Sequence, residues 1–376
     1  MFPQNNSREG VLFTYWGRRG ALSRFALEVG REALSNRNYR AALSVSEYNQ
    51  DFRAIQDVGS ELLPLRLFSS NLGALTQSWR IPVVRSQLIS WVRQARIGTV
   101  VELMPHIWSP FIMPAVQAHG VRYISVIHDA DAHPGDRSSI AKTLLDRAID
   151  NADLVITLSG AVAGRLEAME RVSAKKIFTL FHPDLHYGGV SQVRRAPVDR
   201  PVKLLFLGRI LHYKGLPILI DAVEQLRADG HSIELGVFGE GPLGGSAPRL
   251  RALGAEVVNR WLSTDDIASI LARYDVMVLS HVEASQSGVA ATAFGAGMPV
   301  ICTPVGGLPE QVLDGVTGIV ARRADGPALA DAIAGLASDP QLYNAISAAI
   351  VDTQGHRSIA RFVEDCIAHA RHATSL

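Results

Sequence analysis

Val202-Lys203-Leu204-Leu205-Phe206-Leu207-Gly208-Arg209, followed two residues later by His212-Tyr213-Lys214-Gly215, decides how this chain is read. An apolar run with one polar interruption ends in a glycine. Strands covered by helices on both faces of a parallel sheet have this pattern. Arg209 stands just past the carboxyl end of that strand, and Lys214-Gly215 opens the helical stretch 216–228. A guanidinium and an ammonium then meet at a helix N-terminus, which is an anion-binding arrangement. A diphosphate fits it, because arginine forks two oxygens while lysine supplies a point charge. The plainer alternative is a surface Arg and Lys beside an ordinary turn.

Outward from this stretch, the second half predicts strands at 202–207, 233–238, 256–258, 276–279 and 300–303. Helices are predicted between them at 216–228, 264–273 and 289–295, then at 328–337, 341–351 and 358–372. The first half predicts strands at 11–15, 41–45, 100–103, 123–127, 154–157 and 177–181, with helices at 22–34, 82–96, 138–151 and 161–170. Repeating strand-helix-strand units imply a parallel, doubly wound sheet. Between the two series, residues 182–201 carry Pro183, Gly188-Gly189, Pro197 and Pro201 without apolar periodicity, which reads as a linker. The expected organisation is a first domain at 1–187, a linker at 188–201, a second domain at 202–354, and a closing helical segment at 355–376 packing back on the first domain. Two Rossmann-like α/β domains facing a cleft would bind ligands at the carboxyl ends of their strands.

Composition limits the function classes. The 376 residues are 47% hydrophobic and 19% charged, so the chain is globular, with two or three domains, and not disordered. Cys302 and Cys366 form neither a disulfide framework nor a metal-finger spacing, which suits a reducing compartment. A net charge of +1, from 37 basic and 36 acidic residues, argues against a nucleic-acid binder. The halves differ, however: residues 1–195 hold 23 Lys/Arg and 17 Asp/Glu, residues 196–376 hold 14 and 19. A basic first half suits an anionic partner, such as a phospholipid surface or a phosphate-bearing substrate, or is a scattered solvated surface. Residues 1–9 are polar and lack a signal-peptide core. The uncharged stretches 103–121 and 284–309 are broken by prolines and glycines and do not read as membrane spans. The expected location is cytoplasmic, with peripheral contact at the inner face of the membrane.

Three more turns follow strands of the second series. Glu283-Ala284-Ser285-Gln286-Ser287-Gly288 precedes a small-residue helix, where Ser287 and Gly288 can present backbone N–H groups to phosphate. Glu283 is a lone carboxylate in an uncharged region; sugar hydroxyls would satisfy it, as would a nearby arginine. The others are Phe238-Gly239-Glu240-Gly241-Pro242 and Val305-Gly306-Gly307-Leu308-Pro309-Glu310. In the first half, Gly17-Arg18-Arg19-Gly20 and His128-Asp129 each end a predicted strand, and His106 lies just beyond another. His128 can hydrogen-bond a sugar hydroxyl or merely cap a turn.

These residues together resemble the retaining glycosyltransferases of family 4, the glycosyl transferases group 1, which have the two-domain GT-B fold. The resemblance covers nearly the whole chain and is strongest over residues 202–320. It rests on Gly208-Arg209, Lys214-Gly215, Gly239-Glu240-Gly241-Pro242, the run 283–288, Gly297-Met298-Pro299-Val300-Ile301 and Gly306-Gly307-Leu308-Pro309-Glu310. It implies that Arg209 and Lys214 hold the pyrophosphate of a nucleotide-sugar, helped by Gly208, Ser287, Gly288 and Gly20. Asn259-Arg260-Trp261-Leu262 matches the family's base-contacting segment, with Gly239 and Glu240 beside it. Glu283, His128, Arg209 and Lys214 become the catalytic set; Arg18, Arg19, His106 and Asp129 fall on the acceptor side.

One departure is plain. The family has two glutamates eight positions apart; here the second position, Ala291 or Thr292, is not acidic, and Glu283 lies one residue further from Pro299 than usual. The Glu-Ala-Ser-Gln-Ser-Gly form looks like a variant branch in which Thr292 only partly replaces the ribose-holding glutamate. The implied reaction needs no cofactor and no metal. It moves a sugar from a donor, expected to be a uridine diphosphate sugar with a guanosine one as the alternative, to a saccharide or lipid-linked hydroxyl. Two rivals stand beside it: a nucleotide-sugar epimerase of the same fold, and a non-catalytic two-domain ligand-binding protein. A dinucleotide dehydrogenase is disfavoured, since no Gly-x-Gly-x-x-Gly opens either half.

Overall fold

A computed structural model describes residues 10–36, 39–59, 61–130, 139–170, 172–173, 176–189 and 191–372. The chain divides into two compact units, Met1–Phe181 with Ile359–Leu376, and His182–Ser358.

The first unit holds β1 (Gly10–Tyr15), β2 (Ala41–Ser46), β3 (Leu62–Leu65), β4 (Ile97–Glu102), β5 (Arg122–Ile127), β6 (Leu154–Thr157) and β7 (Ile177–Thr179). Their order is β3-β2-β1-β4-β5-β6-β7, and every pair is parallel. Helices α1 (Ala21–Ser35), α2 (Phe52–Gln56), α3 (Asn71–Thr76), α4 (Ile81–Gln94), α5 (Ser109–Gln117), α6 (Ser139–Asp150) and α7 (Gly160–Ala168) connect them. The strands β1 and β2 are buried along their whole length, as strands with helices on both faces must be. Ser138, the expected start of α6, lies outside the described residues.

The second unit holds β8 (Val202–Leu207), β9 (Ile233–Phe238), β10 (Glu256–Val258), β11 (Val276–Leu279), β12 (Val300–Cys302) and β13 (Gly318–Val320), in the order β10-β9-β8-β11-β12-β13. All neighbours are again parallel. Its helices are α8 (Leu216–Ala228), α9 (Ser246–Ala252), α10 (Thr264–Arg273), α11 (Gly288–Gly295), α12 (Leu308–Gln311), α13 (Gly326–Ala337) and α14 (Pro340–Asp352). Local chemistry sets several starts. Ser263 and Asp266 form a capping box on α10, while Asp325 and Asp339 cap α13 and α14. The expected α/β architecture of two doubly wound parallel sheets is what the chain adopts.

The stretch 182–201 has neither helix nor strand, yet it is fastened to the second unit. The Arg194 guanidinium donates to the carbonyls of Ala296, Tyr274 and Leu271 at 2.8–2.9 Å, and its amide donates to Ser347 Oγ at 2.7 Å. Leu185 is fully buried and its N–H donates to Ala291 O. The unit boundary therefore falls at Phe181/His182.

The chain returns to the first unit as α15 (Ile359–His372). Phe362 is wholly buried, with ring centroids 5.3 Å from Phe25 on α1 and 6.2 Å from Phe181. The Arg122 guanidinium donates to Ala370 O. Beside the two points where the chain changes unit, Arg357 Nε donates to Asp184 Oδ1 at 3.0 Å, and the Asp184 N–H donates to Arg357 O at 2.8 Å. Burial pushes the Asp184 carboxyl up to about 6, against the pull of Arg357.

Candidate active site

In the second sheet β8 and β11 are neighbours. The chain leaves β8 toward β9 and β10 on one side, and leaves β11 toward β12 and β13 on the other. Loops after such a pair diverge, and this switch point is where open α/β sheets bind ligands. Gly208-Arg209 follows β8, and the run 280–288 follows β11.

Backbone contacts join the turns at this carboxyl edge. Gly208 N–H donates to Phe238 O, Ile210 N–H to Glu240 O, and Gly239 N–H to Val258 O. Asn259 clasps Gly241 twice, accepting its N–H at 3.1 Å and donating to its carbonyl at 2.9 Å. Across the switch point, Val282 N–H donates to Tyr213 O and Ser280 Oγ to Lys214 O at 3.0 Å. Two glycines allow the closest approaches. Gly215 has φ 64°, and a Cβ there would sit 1.8 Å from Ser280 O; Gly306 has φ 53°, and a Cβ there would sit 1.6 Å from Ala284 O. No L side chain fits at those distances.

The side chains divide into those offered outward and those engaged within the protein. Arg209 is exposed. Lys214 is half-buried, its Nζ 2.8 Å from Nε2 of His281 and 5.3 Å from the centre of the Tyr213 ring. Glu283 is exposed and makes no hydrogen bond or ion pair among the described residues, so an arginine partner does not account for it. Glu240 is exposed. Trp261 is 38% exposed, and Leu262 packs against the core. Arg260 is held in a two-pronged ion pair with Asp266 at 2.8 Å, which commits its guanidinium to the start of α10.

Two expected contacts are engaged elsewhere. The Ser287 N–H donates to Gln311 Oε1 and its carbonyl accepts from Gln311 Nε2, both at 3.0 Å, while its hydroxyl caps α11. Its amide is thus bound to a side chain; Gly288, half-buried, is the first residue of the helix. Thr292 is 4% exposed, and its hydroxyl donates to Gly288 O at 2.8 Å, so it serves its own helix where a ribose partner was expected. His281, 2% exposed, was not singled out in the sequence, because its partner Lys214 lies 67 residues away.

The first sheet has its own switch point between β1 and β4. Gly20 (φ 110°) precedes α1 with open space at its Cβ position. Arg19 is exposed, whereas the Arg18 guanidinium donates to Ser69 O and lies 5.7 Å over the Phe68 ring. Asp129 is half-buried. His128 is buried and donates from Nε2 to Leu103 O at 2.8 Å; burial lowers its pKa, which keeps it neutral. His106 is buried among Trp16, Phe68 and Trp108 rings, and burial, with Arg18 adding, pushes its pKa down to about 3. It is a neutral packed imidazole where an acceptor-side contact was expected.

Glu102, at the end of β4, went unread in the sequence, although it is the lone charge in an apolar strand. It is wholly buried among neutral donors: Ser109 Oγ, Tyr123 OH and the His106 N–H. Burial pushes its carboxyl up to about 7, against those hydrogen bonds.

Residues 201–339 match the family described as Glycosyl transferases group 1. Glycogen synthase of Mycobacterium tuberculosis is 27% identical over 277 residues, covering 68% of this chain and 66% of that protein. Alpha-D-kanosaminyltransferase of Streptomyces kanamyceticus is 26% identical over 231 residues, covering 58% and 59%. The chain thus spans about two thirds or less of the length of these curated relatives. Among solved structures, Anabaena Alr3699/HepE in complex with UDP and glucose superposes with a TM-score of 0.72 at 16% identity, over 98% of this chain and 100% of that one. That likeness shows the fold: two parallel-sheet α/β domains of the GT-B type.

Proposed function

We propose that the chain is a glycosyltransferase that moves a sugar from a nucleotide diphosphate sugar to a hydroxyl acceptor, in the manner of the retaining family 4 enzymes. The observation that carries this reading is the pair of cations on one loop at the second sheet's switch point, Arg209 exposed and Lys214 held against His281. The segment around them is the one that matches the glycosyl transferases group 1 family. As the glycosidic bond breaks, negative charge builds on the departing phosphate oxygens. Fixed cations and the N-terminus of α8 aimed at those oxygens stabilise the charge as it develops. In this reading the two side chains and backbone donors do what a metal would otherwise do. Glu283 addresses the hydroxyls of the transferred sugar, and the first unit takes the acceptor.

The solved complex of the Anabaena protein with UDP and glucose supports a uridine-linked donor; a guanosine-linked donor fits the same cations. The acceptor in this reading is a saccharide or a lipid-linked saccharide, in polysaccharide or glycoconjugate assembly on the cytoplasmic side of a membrane. No helix among the described residues is long and apolar enough to cross a membrane.

The test is product analysis across nucleotide-sugars, with and without saccharide and lipid-linked acceptors. Nucleoside diphosphate released only with acceptor, and an α-linked product from an α-linked donor, is expected. Conversion of the donor sugar without acceptor would make the protein an epimerase, and tight binding without turnover a ligand receptor.

A further inference from the structure

Between Glu61 and Glu102 the chain has no acidic residue and five arginines: Arg66, Arg80, Arg85, Arg93 and Arg96. None of the five makes an ion pair among the described residues. Arg66, Arg85, Arg93 and Arg96 are exposed, and Arg80 lies 5.8 Å over the Trp79 ring. The same stretch exposes large apolar side chains: Leu72 at 70%, Leu75 at 69%, Trp79 at 69% and Val83 at 48%. They are spaced three, four and four residues apart across α3, the turn Ser78–Arg80 and the start of α4, and all four are turned to solvent. Ala74, Val84, Leu88 and Val92 belong to the first unit's core. Leu72, Leu75, Trp79 and Val83 are not part of that core. Val83 also lines an open groove of about 680 Å³, with apolar Leu63, Pro82 and Trp91 and polar Gln87, Ser90 and Gln94.

We infer that this patch docks on the surface of an anionic phospholipid bilayer. Leu72, Leu75 and Trp79 enter the boundary between headgroups and acyl chains, and the arginines lie among headgroup phosphates. An exposed apolar patch that includes a tryptophan, in a stretch whose charges are all cations, has the composition of an interfacial segment. Basic side chains next to such a patch add electrostatic attraction to anionic lipid. A protein partner would have to supply carboxylates at fixed positions opposite each arginine. A fluid lipid sheet supplies anions wherever the arginines stand. The inference gives residues to the membrane contact of the proposed function and holds whether or not the chain transfers sugars.

The full-length chain is sedimented with vesicles of phosphatidylcholine alone, and of phosphatidylcholine mixed with phosphatidylglycerol, at low and high salt. Binding to the mixed vesicles only, weakened by salt, is expected. Leu75→Ala with Trp79→Ala should lower that binding by about tenfold or more, with circular dichroism and melting temperature unchanged. Donor turnover without vesicles should be the same in this variant as in the parent, which separates a failure of the surface from a failure of the transfer reading. The inference is overturned by parent protein that ignores both vesicles, by a variant that binds as well as the parent, or by a concentration-dependent dimer that the two substitutions abolish, which would assign the patch to a second copy.

Discussion

Lys214 Nζ lies 2.8 Å from Nε2 of His281. The ammonium donates and the imidazole accepts, so a cation on the loop after β8 is positioned by a residue just past β11. The bond bridges the switch point and sets where the charge stands before any ligand arrives.

Replacing His281 with Ala should weaken nucleoside diphosphate binding by about tenfold, the worth of one hydrogen bond to a charged group at ~1.5 kcal/mol. Isothermal titration with UDP and GDP reads this directly. Lys214→Ala and Arg209→Ala should each cost more, on the order of a hundredfold in turnover, because they act where charge develops. Parent-like rates in either of those two would remove the phosphate site.

Glu283→Gln should separate the two halves of the donor. Turnover should fall by about a hundredfold or more, while affinity for free UDP stays within about threefold. Equal losses in both would reassign Glu283 to the nucleotide.

Glu102 gives the protein a pH-dependent stability. Its carboxyl is raised from 4.5 to about 7 in the folded chain, so the folded state holds a proton that the unfolded state has released. Stability from this group is fully present below about pH 4.5 and is lost as pH rises through 7, by at most ~3 kcal/mol. Urea unfolding at pH 5 and pH 8 should show the parent losing stability across this window, and Glu102→Gln losing less. Matching slopes in the two proteins would show that this carboxyl does not drive the effect.

Gly306→Ala should destabilise by about 2 kcal/mol or more, since a methyl group would meet the Ala284 carbonyl and the backbone is left-handed there. Gly335, in α13 with open space at its Cβ position, makes the contrast: alanine there should stabilise by about 0.5–1 kcal/mol. Thermal melts of both variants decide it.

Five of the six strands of the second sheet were legible almost to the residue. Buried parallel strands are short apolar runs ended by glycine, as at 202–207 and 233–238, and need no partner to be recognised. Two strands escaped. β3 contains Pro64, which argues against a strand, yet it lies at the sheet's edge, where a missing N–H costs little. β13 has three residues and no apolar run around it. Helix α5 carries Pro110 and Pro114 and showed only as an uncharged stretch. At the site, sequence located the turns but could not show what each side chain is bonded to. The partners of Ser287, Thr292 and His128 are a distant glutamine, a backbone carbonyl four residues back and the carbonyl of Leu103. The first and third leave no local pattern, and the second is open to any threonine inside a helix.

The return of α15 to the first unit has a consequence for how the protein is made. On the ribosome, residues 182–358 emerge as one continuous stretch and can complete their own core. The unit begun first must wait, because Phe25 meets Phe362 only after that helix has been translated. The half started last therefore matures earliest, and a message cut short before codon 359 would leave the opening half with a bare α1 for chaperones to shelter.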